Sequence, residues 1–155
     1  MIYVVIRLKG MNHVKQDLDR TMKLLRLNKK HHCVLIQPTG PNVGMINKLK
    51  YCVTWGEIDD ETLATLIRKR GRISGDKRFT EEYSKQNTGK TIEHIAKELN
   101  ELKLKIKEIP GLKPVFRLRP PSHGFKEKSN AAEFSMGGSL GYRGKEINEL
   151  LKRMI

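Results

Sequence analysis

Three apolar runs, separated by two segments of helical period, constrain what the first 56 residues can fold into. Residues 2–8 are almost continuously apolar and β-branched and end in Arg7-Leu8-Lys9-Gly10, a strand with a glycine stop. Cys33-Val34-Leu35-Ile36 is a second strand, closed by Gln37-Pro38-Thr39-Gly40; Tyr51-Cys52-Val53-Thr54-Trp55 is a third, ended by Gly56. Between the first two, Val14, Leu18, Met22 and Leu25 recur at helical spacing. Asp17 and Asp19 come early in that segment and Lys23 and Arg26 late, the order a helix dipole favours. Between the second and third, Pro41 opens a helix carrying Val43, Met45, Ile46 and Leu49. Residues 1–56 therefore read β-α-β-α-β, an α+β sandwich with its helices on one face of the sheet.

The remaining residues, 57–155, form a helical extension, a basic extended arm and a C-terminal helix. Asp59 or Asp60 caps a helix with Leu63, Leu66 and Ile67, ended by Gly71, and Thr91 caps another with Ile92, Ile95, Ala96, Leu99 and Leu102. Between them "RKRGRISGDKRF" is a basic loop containing glycine. Residues 103–109 alternate Lys with apolar side chains, a pattern open to helix or strand. From Pro120 to Gly144 there is no periodicity, and Ile147, Leu150, Leu151 and Met154 then make an amphipathic stripe.

Charge separates the classes of function. The chain of 155 residues has 31 Lys+Arg against 17 Asp+Glu, a net +14, and residues 1–56 alone hold 10 basic and 2 acidic side chains. Such a surplus repels itself in a compact fold and calls for a polyanion; nucleic acid is the default partner. No stretch is apolar for long enough to span a bilayer, and the N-terminus does not follow the signal-peptide order, which points to the cytosol. Cys33 and Cys52 lie among apolar strand neighbours without a second close-spaced ligand pair, so they read as buried thiols, with no metal. "GPNVGM" at 40–45 has no following Lys-Ser/Thr and is not a phosphate loop. Asp59-Asp60 and Glu81-Glu82 read as helix starts or solvated faces. No catalytic constellation, cofactor or small-molecule substrate is expected.

The candidate contacts to RNA are cations at strand and helix ends: Arg7 and Lys9 pointing the same way from the first strand, Lys29 and Lys30 after the first helix, and Lys48 and Lys50 after the second. "VFRLRPPSHGFKEK" at 115–128 adds an arm. Phe116 and Leu118 share one face of an extended chain and Arg117 and Arg119 the other. Pro120-Pro121 enforce extension and Gly124 permits close approach; His123, Lys126, Lys128 and, further on, Arg143 supply further contacts. Contact with phosphates would order this arm.

"LLRLNKKHHCVLIQPTGPNVGMINKLKYCVTWGEI", "IRKRG", "GDKRFTEEY", "IPGLKPVFRLRPPSHGF" and "GGSLGYRGKEINELLKRMI" resemble the large-subunit ribosomal protein L-thirty family in its long archaeal and eukaryotic-type form. Gly44-Met45-Ile46-Asn47-Lys48 and the Pro-Pro arm are the most specific matches, and the likeness covers essentially the whole chain. Thr39-Gly40-Pro41 departs from it, where the family more often places Pro directly after Thr, as does Ser122-His123-Gly124, where Arg is common. The resemblance implies a ferredoxin-like fold on an antiparallel sheet with the first strand central, an order that periodicity leaves open. It also implies a structural, non-enzymatic role on large-subunit (23S-type) ribosomal RNA near the 5S rRNA, among neighbouring ribosomal proteins and away from membranes. A free-standing RNA-binding regulator is the alternative the same surface allows.

Overall fold

The computed structural model describes residues 1–10, 12, 14–125 and 129–155. The first 56 residues form β1 (Tyr3–Arg7), α1 (Gln16–Leu24), β2 (His32–Ile36), α2 (Gly40–Lys48) and the greater part of β3 (Val53–Glu57). Antiparallel pairing places β1 between β2 and β3, with Val5 opposite both Val34 and Trp55. α2 begins at Gly40 with Thr39 as its N-cap residue and Pro41 in the first turn, where a missing amide proton costs nothing.

The sheet continues with residues from the extension. β4 (Val115–Arg117) pairs antiparallel with β2, β6 (Gly138–Tyr142) runs parallel to β3, and β5 (Ser129–Glu133) runs parallel to β6. The order of the six strands among the described residues is β4-β2-β1-β3-β6-β5. This is the expected α+β, ferredoxin-like arrangement with β1 central, widened at both edges. A side chain at Gly56 would collide with the Gly144 carbonyl, so β3 and the turn after β6 approach closely only because position 56 has no Cβ.

Both faces of the sheet are covered. Val5, Val34, Ile36, Val53 and Trp55 pack with Met22, Leu27, Ile46 and Leu49 from α1, α2 and their ends. Val4, Ile6 and Cys33 project the other way, onto α3 (Asp60–Arg70), α5 (Ile92–Asn100) and α6 (Ile147–Met154) through Leu63, Leu66, Ile95, Leu99, Leu150 and Leu151. Two-sided burial explains why residues 2–8 read as a continuous apolar run instead of an alternating one. The helices of residues 1–56 do lie on one face, as expected; the extension closes the other.

Three expectations need correction or completion. Residues 129–142, within the stretch that shows no periodicity, contain two strands: β6 draws its hydrogen bonds from β3, with Thr54 Oγ1 donating to Gly141 O at 3.0 Å and Arg143 N to Trp55 O at 2.8 Å. The earlier stretch 119–124 is tied to the end of α6, where Arg119 N and Ser122 N each donate over 3.0 Å to the carbonyls of Met154 and Arg153. An unexpected helix, α4 (Glu81–Thr88), follows the basic loop; Thr80 Oγ1 caps it by accepting from Tyr83 N at 3.3 Å and Gly89 ends it at φ 67°. Its missing apolar stripe hid it, because only Ser84 of its eight residues is buried. Residues 106–108 form a single 3-10 turn, its start capped by the Glu108 carboxylate accepting from Lys105 N at 2.9 Å.

Candidate nucleic-acid interface

Strand register gathers cations at one end of the sheet. β1 ends there and β2 and β3 begin there, since Ile6 faces Cys33 and Arg7 faces Val53. β4 ends there too, with Arg117 opposite His32. Lys9, Lys29, Lys30, Arg117 and Arg119 are all exposed at this end, while Phe116 and Leu118 are buried, as strand alternation requires. Among the described residues no carboxylate lies within ion-pair distance of Lys9, Lys29, Lys30 or Arg119. His123 is exposed in a turn, at φ 62°. Lys126 and Lys128 lie outside the described residues.

Arg7 does not point outward with Lys9. It is 1% exposed, and its guanidinium donates to the carbonyls of Leu27 (2.7 Å), Asn28 (3.2 Å), Lys9 (2.8 Å) and Gly10 (3.0 Å). Burial lowers its pKa from the ordinary value, while the nearby Asp19 carboxylate opposes that shift. Arg7 thus fixes the two loops that present Lys9 and Lys29, and its own charge is spent on main-chain oxygens. Arg143 is also buried, donating to Ser139 O at 3.1 Å and lying 4.4 Å over the Phe134 ring. Both were expected at the RNA surface. Sequence pattern could not place them inside: Arg7 is held by main-chain carbonyls, which every residue carries, and Arg143 by a carbonyl together with the Thr54 hydroxyl, 89 residues away.

Lys48 and Lys50 are reached by carboxylates: Lys48 Nζ lies 2.7 Å from Asp17 and Lys50 Nζ 2.9 Å from Glu133, with Lys50 also 4.6 Å over the Tyr51 ring. The Glu133 hydrogen bond raises the Lys50 pKa above its ordinary value, keeping the ammonium charged.

The edge beside β4 holds residues that the sequence alone did not single out. Of "RKRGRISGDKRF", expected as a loop, Arg68, Lys69 and Arg70 end α3, and residues 72–78 close as a hairpin, with Arg72 bridging Arg78 and Ile73 N donating to Lys77 O at 2.9 Å. Lys113 N donates to Arg72 O at 2.8 Å, docking the hairpin beside β4. Arg26, Arg72, Lys113 and Arg117 now line one cleft of about 240 Å³ with His32 and Asp76. Burial holds the His32 pKa below its ordinary value; the Arg26 carbonyl partly opposes this, and the charges of Arg117, Lys29 and Arg7 add to the lowering. The signal available earlier was the density of Arg and Lys in the loop, without the fold that aims it.

Cys33 and Cys52 are free and buried, and burial raises both thiol pKa values. No group of three metal-ligating side chains occurs among the described residues, nor is any helix among them long and apolar enough to cross a membrane.

A family model described as ribosomal protein L30p/L7e matches residues 3–53. The large ribosomal subunit protein uL30 of Nanoarchaeum equitans is 46% identical over 154 residues, covering 99% of each chain. The corresponding protein of Staphylothermus marinus is 48% identical over 160 residues, covering 99% of this chain and 98% of its own. That of Methanococcus maripaludis is 46% identical over 155 residues, all of both chains. The chain belongs to the ribosomal protein L30p/L7e family. The family model spans the segment from β1 to the first residue of β3, while the L30p/L7e relatives extend over the whole chain, including both edges of the sheet. Membership of the L30p/L7e family gives the protein a structural, non-enzymatic character.

Proposed function

We propose that this protein is a structural constituent of the large ribosomal subunit, acting in the cytoplasm, which binds 23S-type ribosomal RNA through the cationic end of its sheet and lies near the 5S rRNA. The observation that carries this reading is the convergence of Lys9, Lys29, Lys30, Arg117 and Arg119, four of them without an acidic partner among the described residues, on one end of the sheet. Family membership supports the ribosomal setting. Lys and Arg there neutralise phosphates and release counterions; recognition comes from the three-dimensional shape of the RNA. His123, Lys126 and Lys128 belong to the same proposed contact. Lys48 and Lys50 join it only by giving up Asp17 and Glu133.

Crosslinking in intact large subunits, with both partners mapped, tests the assignment. RNA crosslinks should concentrate on Lys9, Lys29, Lys30, Arg117 and Arg119, and the protein should remain with subunits through a high-salt wash. Release into the soluble fraction at moderate salt would favour a free-standing RNA-binding regulator. Replacing Lys29 and Lys30 with Gln should reduce the salt slope of RNA binding by about 2.

A further inference from the structure

The cleft beside β4 contains one acidic side chain among its cations. Asp76 Oδ2 accepts from Arg117 Nη1 at 3.2 Å, and its Oδ1 accepts from Lys113 Nζ at 3.4 Å. These donors come from either end of the β4 segment, and Arg72, on the hairpin that carries Asp76, lines the same cleft. The carboxylate is delivered by an unusual backbone. Gly75 (φ 77°) and Asp76 (φ 61°) both occupy the left-handed region at the hairpin tip, which Gly enters freely and Asp more readily than most residues.

We propose that this cleft is a seat for one phosphodiester group of RNA, and that Asp76 occupies it as an internal phosphate mimic in the free protein and is displaced on binding. The proposal rests on the ribosomal RNA-binding reading above and assigns one contact within it. Two convergent donors around an oxygen-only anion are what a phosphate requires, and Arg117 can present a planar pair of N–H groups to it. The bond is also releasable. The Asp76, Lys113 and Arg117 side chains are 53%, 42% and 65% exposed, and ion pairs this exposed are weakly held. Until RNA arrives, the carboxylate spares Arg72, Lys113 and Arg117 their mutual repulsion; the lowered Asp76 pKa, caused first by the Lys113 hydrogen bond and then by the Arg117 charge, agrees with its staying ionised. A phosphate held by the whole RNA then competes with a single side chain.

The test is binding of the full chain to deproteinised large-subunit ribosomal RNA across a salt series, for wild type, D76N, R117Q and the double variant. Asn accepts the left-handed backbone as readily as Asp, so D76N keeps the hairpin. D76N should tighten binding by about threefold to tenfold and steepen the salt slope by up to about 1. In the R117Q background the gain from D76N should fall below about twofold, because the seat has lost its main donor. Equal or weaker binding by D76N would overturn the proposal, since Asp76 would then be aligning the cations instead of excluding RNA. The same gain in both backgrounds would overturn it as well, by showing a general charge effect. Retention of the wild-type protein on salt-washed subunits reads the ribosomal assignment separately and does not depend on either outcome.

Discussion

The two faces of the sheet are closed in different ways. The face of Val5, Val34, Val53 and Trp55 is covered by α1 and α2, which lie between the very strands they cover. The face of Val4, Ile6 and Cys33 is covered by α3, α5 and α6, with Phe116 and Leu118 sealing its edge, all from beyond residue 56. The first face is therefore a local product of the β-α-β-α-β segment, and the second depends on chain that returns from far away. The same returning chain brings Arg117 and Arg119 to the cationic end of the sheet. Covering the second face and completing the cationic end of the sheet are one structural event. The proposed division at residues 56 and 57 thus separates two parts that share a sheet.

This contrast can be broken most directly at Phe116, which is fully buried on the second face. Phe116→Ala should cost about 3–5 kcal/mol through lost packing and the cavity left behind. Trp55, the chain's single tryptophan, belongs to the opposite face, so its fluorescence reports whether the damage crosses the sheet. A Trp55 unfolding midpoint that falls with the rest of the structure means the faces unfold together. An unshifted Trp55 transition would make residues 1–56 an independent unit.

Arg7 offers a somewhat smaller effect at the junction of the regions. Arg7→Ala should cost about 2–3 kcal/mol, since it leaves carbonyls of Leu27, Lys9 and Gly10 without their charged donor. Denaturant titration gives the stability. RNA binding should weaken as well, although Arg7 is too buried to reach a phosphate, because the Lys9 and Lys29 loops lose their anchor. Full retention of RNA affinity would disconnect the core from the interface.

Caps of α5 and α2 should differ by less. The Thr91 hydroxyl accepts from His94 N at 3.4 Å at the start of α5, whereas Thr39, the corresponding residue of α2, makes no side-chain cap bond. Thr91→Ala should therefore cost up to about 1 kcal/mol and Thr39→Ala only a few tenths, as paired thermal melts would show. The smallest effect concerns pH. Burial holds the His31 and His32 pKa values below ordinary, so the fold favours neutral imidazoles. Their contribution is fully present above the unfolded value of about 6.5 and is lost as the pH falls through the lower folded values. Replacing both with Gln should flatten the stability profile on that acid side, where a stability-versus-pH series would detect it.

The fold was legible where neighbours along the chain carry its cause. The runs at 2–8 and 33–36 formed β1 and β2, and that at 51–55 formed β3 two residues later than expected, with Tyr51 and Cys52 in the turn before it and Gly56 inside the strand, because apolar side chains fill both faces; the stripe from Ile147 to Met154 formed α6 because helical spacing puts those four residues on one buried side. Arg117 and Arg119 faced outward for the same local reason. β6 escaped notice: Gly138-Ser139-Leu140-Gly141 has one apolar side chain in four residues, and its hydrogen-bond partner is β3, 87 residues away at Thr54 and Gly141. The candidate site was legible as a sign and a quantity of charge, and only partly as a set of residues. Arg7 and Arg143 are indistinguishable in sequence from Lys9 and Arg117.

The sequence by itself determined the β-α-β-α-β order, the amphipathic C-terminal helix and the need for a polyanionic partner, because periodicity and net charge are properties of the chain that folding does not alter. Tertiary structure alone decided which cations serve the interior and which serve the surface. Carbonyls from residues 27 and 28 meet the Arg7 guanidinium only after β1 and β2 have paired, and Asp76 meets Lys113 and Arg117 only after the hairpin has docked beside β4. A hydrogen bond or an ion pair depends on separation in space, and that is set by contacts between residues the chain places tens of positions apart.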